Sequence, residues 1–133
     1  MNMSETEKKI LKPNDYKRMV SNLDLESFEL RTSSILEARM TLIGIERMEE
    51  NLLEIRQQVS ADMRAVKLKY LSYDYSKSSL LGHLKRTKIS TKRKSMNKKC
   101  KRELEPYEQV LYIIDDYLEQ IKDVKAYINQ IKA

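Results

Sequence analysis

The residues with the clearest chemistry are eleven lysines and arginines within a stretch of 26 residues that contains no aspartate or glutamate. This basic segment comprises Lys77, Lys85, Arg86, Lys88, Lys92, Arg93, Lys94, Lys98, Lys99, Lys101 and Arg102. Unopposed positive charge neutralises nucleic-acid phosphates and releases their counterions, which supports binding without sequence preference. Because no Tyr, Phe or Trp lies between Ser76 and Arg102, the segment offers no surface for base stacking. The pattern predicts contact with the backbone of nucleic acid.

The same charges allow three other interpretations. The segment could fold back on the acidic residues of 46–54 or 115–119, as a connector or a protein-binding surface. It could meet an anionic membrane, but only the leucines of 80–84 could insert, so membrane binding is not favoured. In a eukaryotic protein, residues 85–94 with 98–102 could act as a nuclear import signal.

Side chains suited to catalysis are few. His83 is the only histidine and Cys100 the only cysteine, so one chain holds no disulfide, no second thiol and no histidine pair. The only glycines are Gly44, which falls at an outward position of the heptad repeat described below, and Gly82. Two isolated glycines cannot form a phosphate-cradling loop. We therefore predict that the protein is not an enzyme.

The acidic residues do not form a pattern that predicts a metal site. Glu46 and Glu49 have the Glu-x-x-Glu spacing, but a di-iron bundle requires Glu-x-x-His pairs on facing helices. Asp115, Asp116 and Glu119 form a compact acidic group, yet their heptad positions place them on the solvent side of a helix. The sequence predicts no metal and no cofactor.

A heptad repeat from Phe28 to Tyr73 predicts the element that organises the chain. With Phe28 at position a, five consecutive d positions are apolar: Ile45, Leu52, Val59, Val66 and Tyr73. Such a repeat without proline predicts an α-helix of about 70 Å that packs lengthwise against other helices. Glu49 and Arg56 interrupt the a positions. Either they set the register of a helix pair, or the helix rotates locally and buries Met48 and Ile55 instead.

The other elements complete an all-α, elongated helical hairpin with a short N-terminal helix and a long C-terminal helix. We predict an N-terminal arm over 1–23, the long heptad helix over 24–75, a basic connector over 76–104 and a C-terminal amphipathic helix over 105–133, as a single domain. Asn14 and Asp24 are expected to cap the first two helices, and Pro106 to lie in the first turn of the last. The connector is expected to be disordered, or helical only on a polyanion.

The predicted helix lengths imply association. A last helix of about 27 residues reaches only about 40 Å, so it would leave half of the long helix uncovered. An exposed apolar stripe of that length is an association site. We predict a homo-oligomer, most simply a dimer, with an interface formed by Ile45, Leu52, Val59, Met63 and Val66. An antiparallel pairing is favoured because it would bring Glu49 toward Arg56 of the other chain.

The composition also indicates where the protein is located and what it does. No apolar run reaches the length of a membrane span, and residues 1–9 lack the apolar region of a secretion signal. We expect an intracellular, cytoplasmic protein, or a nuclear one in a eukaryote. The preferred function is a non-enzymatic oligomeric helical protein that binds nucleic-acid backbone. The alternative is a coiled-coil adaptor or structural subunit that binds another protein through an exposed apolar helix face.

Overall fold

The structure, a computed structural model, describes the backbone of residues 10–81 and 86–132 and the side chains of residues 10–71 and 94–131. In chain order the elements are α1 (Pro13–Asn22), a 3-10 helix (Leu25–Ser27), α2 (Ile35–Leu81) and α3 (Arg86–Lys132). Both α2 and α3 have 47 residues, so each reaches about 70 Å. The described residues contain no strand. The predicted all-α helical hairpin is confirmed.

The two long helices lie side by side in opposite directions. Three ion pairs define their register: Glu49 with Lys125 at 3.1 Å, Arg56 with Asp115 at 2.7 Å, and Lys69 with Glu103 at 3.2 Å. Residue numbers rise along α2 as they fall along α3. α2 and α3 therefore form one antiparallel hairpin.

The core runs along the hairpin and includes one face of α1. Its main cluster joins two residues of α1, five of α2 and four of α3: Tyr16, Val20, Leu52, Ile55, Val59, Met63, Val66, Leu104, Tyr107, Val110 and Ile114. A smaller cluster of Ala38, Ile45 and Ile128 lies near the first turns of α2 and the last turns of α3. Apolar residues three and four apart supply both faces, as in helices that pack lengthwise.

The predicted oligomer interface needs correction. Ile45, Leu52, Val59, Met63 and Val66 are all buried inside the single chain, at 9% exposure or less. The cause is the antiparallel register, which places the buried residues of α3 between Tyr107 and Ile128 over these five positions of α2. These five side chains are not available to a second copy of the folded hairpin.

The two polar heptad residues have partners within the chain. Glu49 accepts from the Lys125 ammonium, and Arg56 donates to Asp115. Ile55 is buried in the core while Arg56 lies at its edge, which agrees with the local rotation of the helix. The argument for an antiparallel dimer from Glu49 and Arg56 therefore loses its basis.

The long helix begins later than predicted, at Ile35 and not near Asp24. The Ser34 hydroxyl accepts from the Glu37 backbone N–H at 3.1 Å, and the Glu37 carboxylate accepts from the Ser33 hydroxyl and backbone N–H. These contacts resemble a capping box, and the Ser-x-x-Glu spacing was its sequence signal. Asp24 instead has left-handed backbone (φ 53°) before the 3-10 helix, a conformation that aspartate tolerates.

Residues 28–34 pack on α2 without joining it. The Phe28 ring lies on Gly44, where an added Cβ would approach a ring carbon at 3.0 Å. Gly44 is therefore a close contact between loop and helix, and its predicted outward position is wrong. The Thr41 hydroxyl also donates to the Arg31 carbonyl at 2.9 Å, which fixes the loop.

The basic connector is largely helix, which corrects the predicted disorder and the predicted start at residue 105. α3 begins at Arg86 and contains Pro106 in its interior. Proline there removes one backbone hydrogen bond. Met96, Cys100 and Leu104, spaced by four, continue the apolar stripe of α3, and both Cys100 and Leu104 pack in the main cluster. This packing against α2 supports a helix that local composition did not predict.

The N-terminal segment is held by a polar cluster around Asp62. Its carboxylate accepts from the Leu11 backbone N–H at 3.1 Å and from the Tyr16 hydroxyl. The Tyr107 hydroxyl donates to the Leu11 carbonyl at 2.7 Å. α1 begins directly after this segment, with Lys12 as N-cap and Pro13 at N1, so the cap is not the predicted Asn14. The cluster joins α1 to both long helices.

Alkaline pH is expected to destabilise the fold through these tyrosines. Burial, and then the hydrogen bond to Asp62, raises the pKa of Tyr16, and burial with the charge of Asp62 raises the pKa of Tyr107. The folded state thus favours the neutral phenols. Their contribution is complete below the ordinary tyrosine pKa of about 10 and is lost as pH rises toward the raised values.

Urea unfolding followed by circular dichroism measures this effect. The free energy of unfolding should be level between about pH 7 and 9 and should fall above about pH 10. Tyr16→Phe should show a shallower fall. An unchanged slope in that variant would contradict the assignment to Tyr16.

Candidate nucleic-acid interface

The described part of the basic segment forms a ridge on the outer side of α3. The ridge consists of four exposed bases at spacings of four, three and one residues: Lys94, Lys98, Lys101 and Arg102. This spacing places them on one side of the helix, opposite the buried Tyr107 and its neighbours. Lys99 is also exposed, farther round the helix. Helical geometry therefore holds these charges within about 12 Å along the axis.

The remaining predicted residues are described less fully. Lys77 lies in α2, and Arg86, Lys88, Lys92 and Arg93 lie in α3, but their side chains are outside the described residues. Lys85 is outside the described residues altogether.

The hairpin adds three bases of α2 that the sequence pattern did not include. Arg64, Lys67 and Lys69 are exposed on α2, and the Lys69–Glu103 pair places them alongside about residues 103–108 of α3, next to the end of the basic segment. Lys69 pairs with Glu103 and lies 5.2 Å from the centre of the Tyr70 ring. The sequence pattern left these bases out because they lie 8 to 13 residues before Lys77, and Asp74 separates them from the stretch without acids.

Charge is divided between the two halves of the rod. Residues 64–102 hold 14 lysines and arginines and one acid, Asp74. The rest of the chain holds 12 bases and 19 acids. The antiparallel hairpin places the described backbone of this range, 64–81 and 86–102, at one end of the molecule, which is called the basic half below.

Three of the five acidic residues considered for metal binding have hydrogen-bond partners. Asp115 accepts from Arg56, Asp116 accepts from Gln120 at 3.0 Å, and Glu49 accepts from Lys125. Within the described residues, no three His, Cys, Asp or Glu side chains lie together as a metal would require. Cys100 is a free, half-buried thiol against the core, and His83 lies outside the described residues.

One small apolar hollow lies under the loop before α2. It has a volume of about 160 Å³, and Leu25, Phe28, Ile45, Tyr117 and Val124 are among the residues that line it. Pockets for drug-sized ligands are usually about 300 to 1,000 Å³. This hollow does not outweigh the basic surface as a candidate site.

Among the described helices, none combines the length and the apolar composition needed to cross a bilayer. Comparison of the chain with protein-family models, with curated proteins and with solved structures gave no match.

Proposed function

We propose that this chain is a non-enzymatic helical protein that binds the backbone of nucleic acid without sequence preference. The observation that carries the proposal is the two-helix basic half, with 14 bases and one acid over residues 64–102. Eight of these bases have described side chains, and all eight are exposed. Lysines and arginines at this density would displace counterions from phosphates, and that release drives binding.

The width of the surface favours backbone contact over base reading. Each helix with its side chains is about 10 to 12 Å across, so two side by side exceed the roughly 12 Å width of the major groove. A hairpin of this width would lie across phosphates and would not enter the groove. Phosphate contacts position a protein but carry no base information, so binding should be similar for different sequences.

The test replaces five described bases by alanine: Lys94, Lys98, Lys99, Lys101 and Arg102. Fluorescence anisotropy should measure affinity for random duplex DNA, single-stranded DNA and RNA at several salt concentrations. Each lost phosphate contact reduces the slope of log K against log salt by about 0.9, so five contacts reduce it by about 4 to 5. We expect affinity at low salt to fall at least about tenfold.

A matched control removes five exposed bases from elsewhere in the chain: Lys17, Arg18, Arg39, Arg47 and Lys122. This variant has the same net charge as the first but retains the basic half. It should keep most of the affinity and nearly the full salt slope. Equal losses in the two variants would mean that net charge, and not the basic surface, determines binding.

One observation supports the adaptor as a second candidate. Leu36, Met40 and Ile43, spaced by four and three near the start of α2, are 68%, 63% and 53% exposed. Such a cluster of uncovered apolar side chains is typical of a surface that binds protein. If the unmodified protein shows no salt-sensitive binding to any nucleic acid, this function becomes the preferred one.

A further inference from the structure

The outer face of α3 carries a stripe of exposed residues that extends from Lys94 to Asp123. Its members are three or four residues apart throughout, which keeps them on one side of an α-helix over about 44 Å. The buried residues of α3, such as Val110 and Ile114, lie on the opposite side. The stripe is therefore open to a partner along its length.

Charge changes sign along this stripe. Its first three members are Lys94, Lys98 and Lys101, and its last three are Asp116, Glu119 and Asp123. Glu105, Glu108 and Tyr112 lie between them. A partner that matched the stripe would have to be acidic at one end and basic at the other.

The stripe of a second copy meets this requirement. Apart from Glu108, the stripe residues are placed symmetrically about the midpoint between Glu108 and Gln109, so two α3 helices can pair antiparallel around a two-fold axis at that point. The opposed residues are Lys94 with Asp123, Lys98 with Glu119 and Lys101 with Asp116, and each pair occurs twice. A parallel arrangement would instead oppose lysine to lysine and acid to acid, which is unfavourable.

The same pairing covers the exposed aromatic residue near the axis. Tyr112 is 76% exposed, and the symmetry places it opposite Glu105 of the second copy. Covering the ring removes apolar area from water, and the hydroxyl can donate to that carboxylate. The two Glu108 side chains approach each other at the axis and form the single like-charge contact of the stripe.

We propose that this outer stripe of α3 binds a second copy of the chain in an antiparallel dimer. The inference does not rest on nucleic-acid binding. Because exposed ion pairs are individually weak and are screened by salt, the dimer is weak and forms at low ionic strength. Lys94, Lys98 and Lys101 belong to both surfaces, so a second copy and a polyanion exclude each other at these positions.

Two charge-reversed triple variants test the pairing. The first carries Lys94→Glu, Lys98→Glu and Lys101→Glu. The second carries Asp116→Lys, Glu119→Lys and Asp123→Lys. Sedimentation equilibrium on nucleic-acid-free protein measures association. The unmodified chain should dimerise, with a dissociation constant at least about tenfold weaker at 500 mM than at about 50 mM salt. Each variant alone should be monomeric, and an equimolar mixture should form a heterodimer. Glu108→Gln should strengthen the dimer of the unmodified chain.

A control reverses three exposed bases outside the stripe: Lys17→Glu, Arg18→Glu and Arg39→Glu. This control should dimerise like the unmodified chain, and circular dichroism should show that every variant is folded. A monomeric unmodified chain at low salt, a dimer in either stripe variant alone, or no heterodimer on mixing would each overturn the proposal. Loss of the dimer in the control, or no strengthening by Glu108→Gln, would also count against it.

Discussion

Replacing Leu52 by alanine is expected to lower the free energy of unfolding by about 3 kcal/mol. Leu52 is 0% exposed and lies in the main cluster, which contains residues of α1, α2 and α3. The change removes buried apolar contacts and leaves a cavity that these long, mutually packed helices cannot easily collapse. For a chain of this size, the melting temperature should fall by about 10 to 15 °C.

The adjacent Leu53 provides the matched control. It is 49% exposed, so Leu53→Ala makes the same chemical change with about 1 kcal/mol or less expected. Urea and thermal unfolding, followed by circular dichroism at several protein concentrations, measure both variants. Because Leu52 is buried within one chain, the loss of unfolding free energy caused by Leu52→Ala should not depend on protein concentration. Equal losses of unfolding free energy in Leu52→Ala and Leu53→Ala would contradict the assignment of Leu52 to the buried side of α2.

Replacing Asp62 by alanine is expected to cost about 2 to 3 kcal/mol. The change removes the acceptor for both the Leu11 backbone N–H and the Tyr16 hydroxyl, and both bonds are partly buried. A partly buried donor that is left without an acceptor costs more free energy than the net value of one hydrogen bond. The N-terminal segment and α1 should therefore open more readily, which increases protease cleavage before α2.

A double-mutant cycle separates this cluster from general effects. Tyr16→Phe alone should cost about 1 kcal/mol, and adding it to Asp62→Ala should cost little more, since the shared hydrogen bond is already lost. Glu50→Ala, at an exposed carboxylate outside the proposed dimer stripe, should change the free energy of unfolding by less than about 0.5 kcal/mol. Fully additive losses at Tyr16 and Asp62 would mean that the two side chains do not interact.

Salt concentration connects the two proposed interactions of α3. Both use charges on its outer face, so both weaken as ionic strength rises. The variant with Asp116→Lys, Glu119→Lys and Asp123→Lys distinguishes them, since it abolishes the proposed dimer and retains Lys94, Lys98 and Lys101. Because this variant also gains six positive charges, the two interactions are separated by nucleic-acid binding that persists without a dimer, and not by stronger binding.

The sequence predicted the long helices better than their ends. Heptad spacing from Ile45 to Val66 marked the buried side of α2, and each of its d positions in that range is buried. The composition of the basic segment does not predict the start of α3 at Arg86. Its few apolar residues, Met96 and Cys100, lie at the positions that continue the stripe, and packing against α2 makes them sufficient.

The amino-acid sequence by itself determined the helical class, the long apolar stripes and the positive charge of the basic segment, because these depend on spacing and composition along the chain. Tertiary structure decided which helix covers each stripe and which charges share a surface. A heptad repeat specifies that one face of a helix is buried, but not whether the same chain or another supplies the partner. Only the antiparallel hairpin buries Leu52 inside one chain and places Lys69 against Glu103, next to the end of the basic segment.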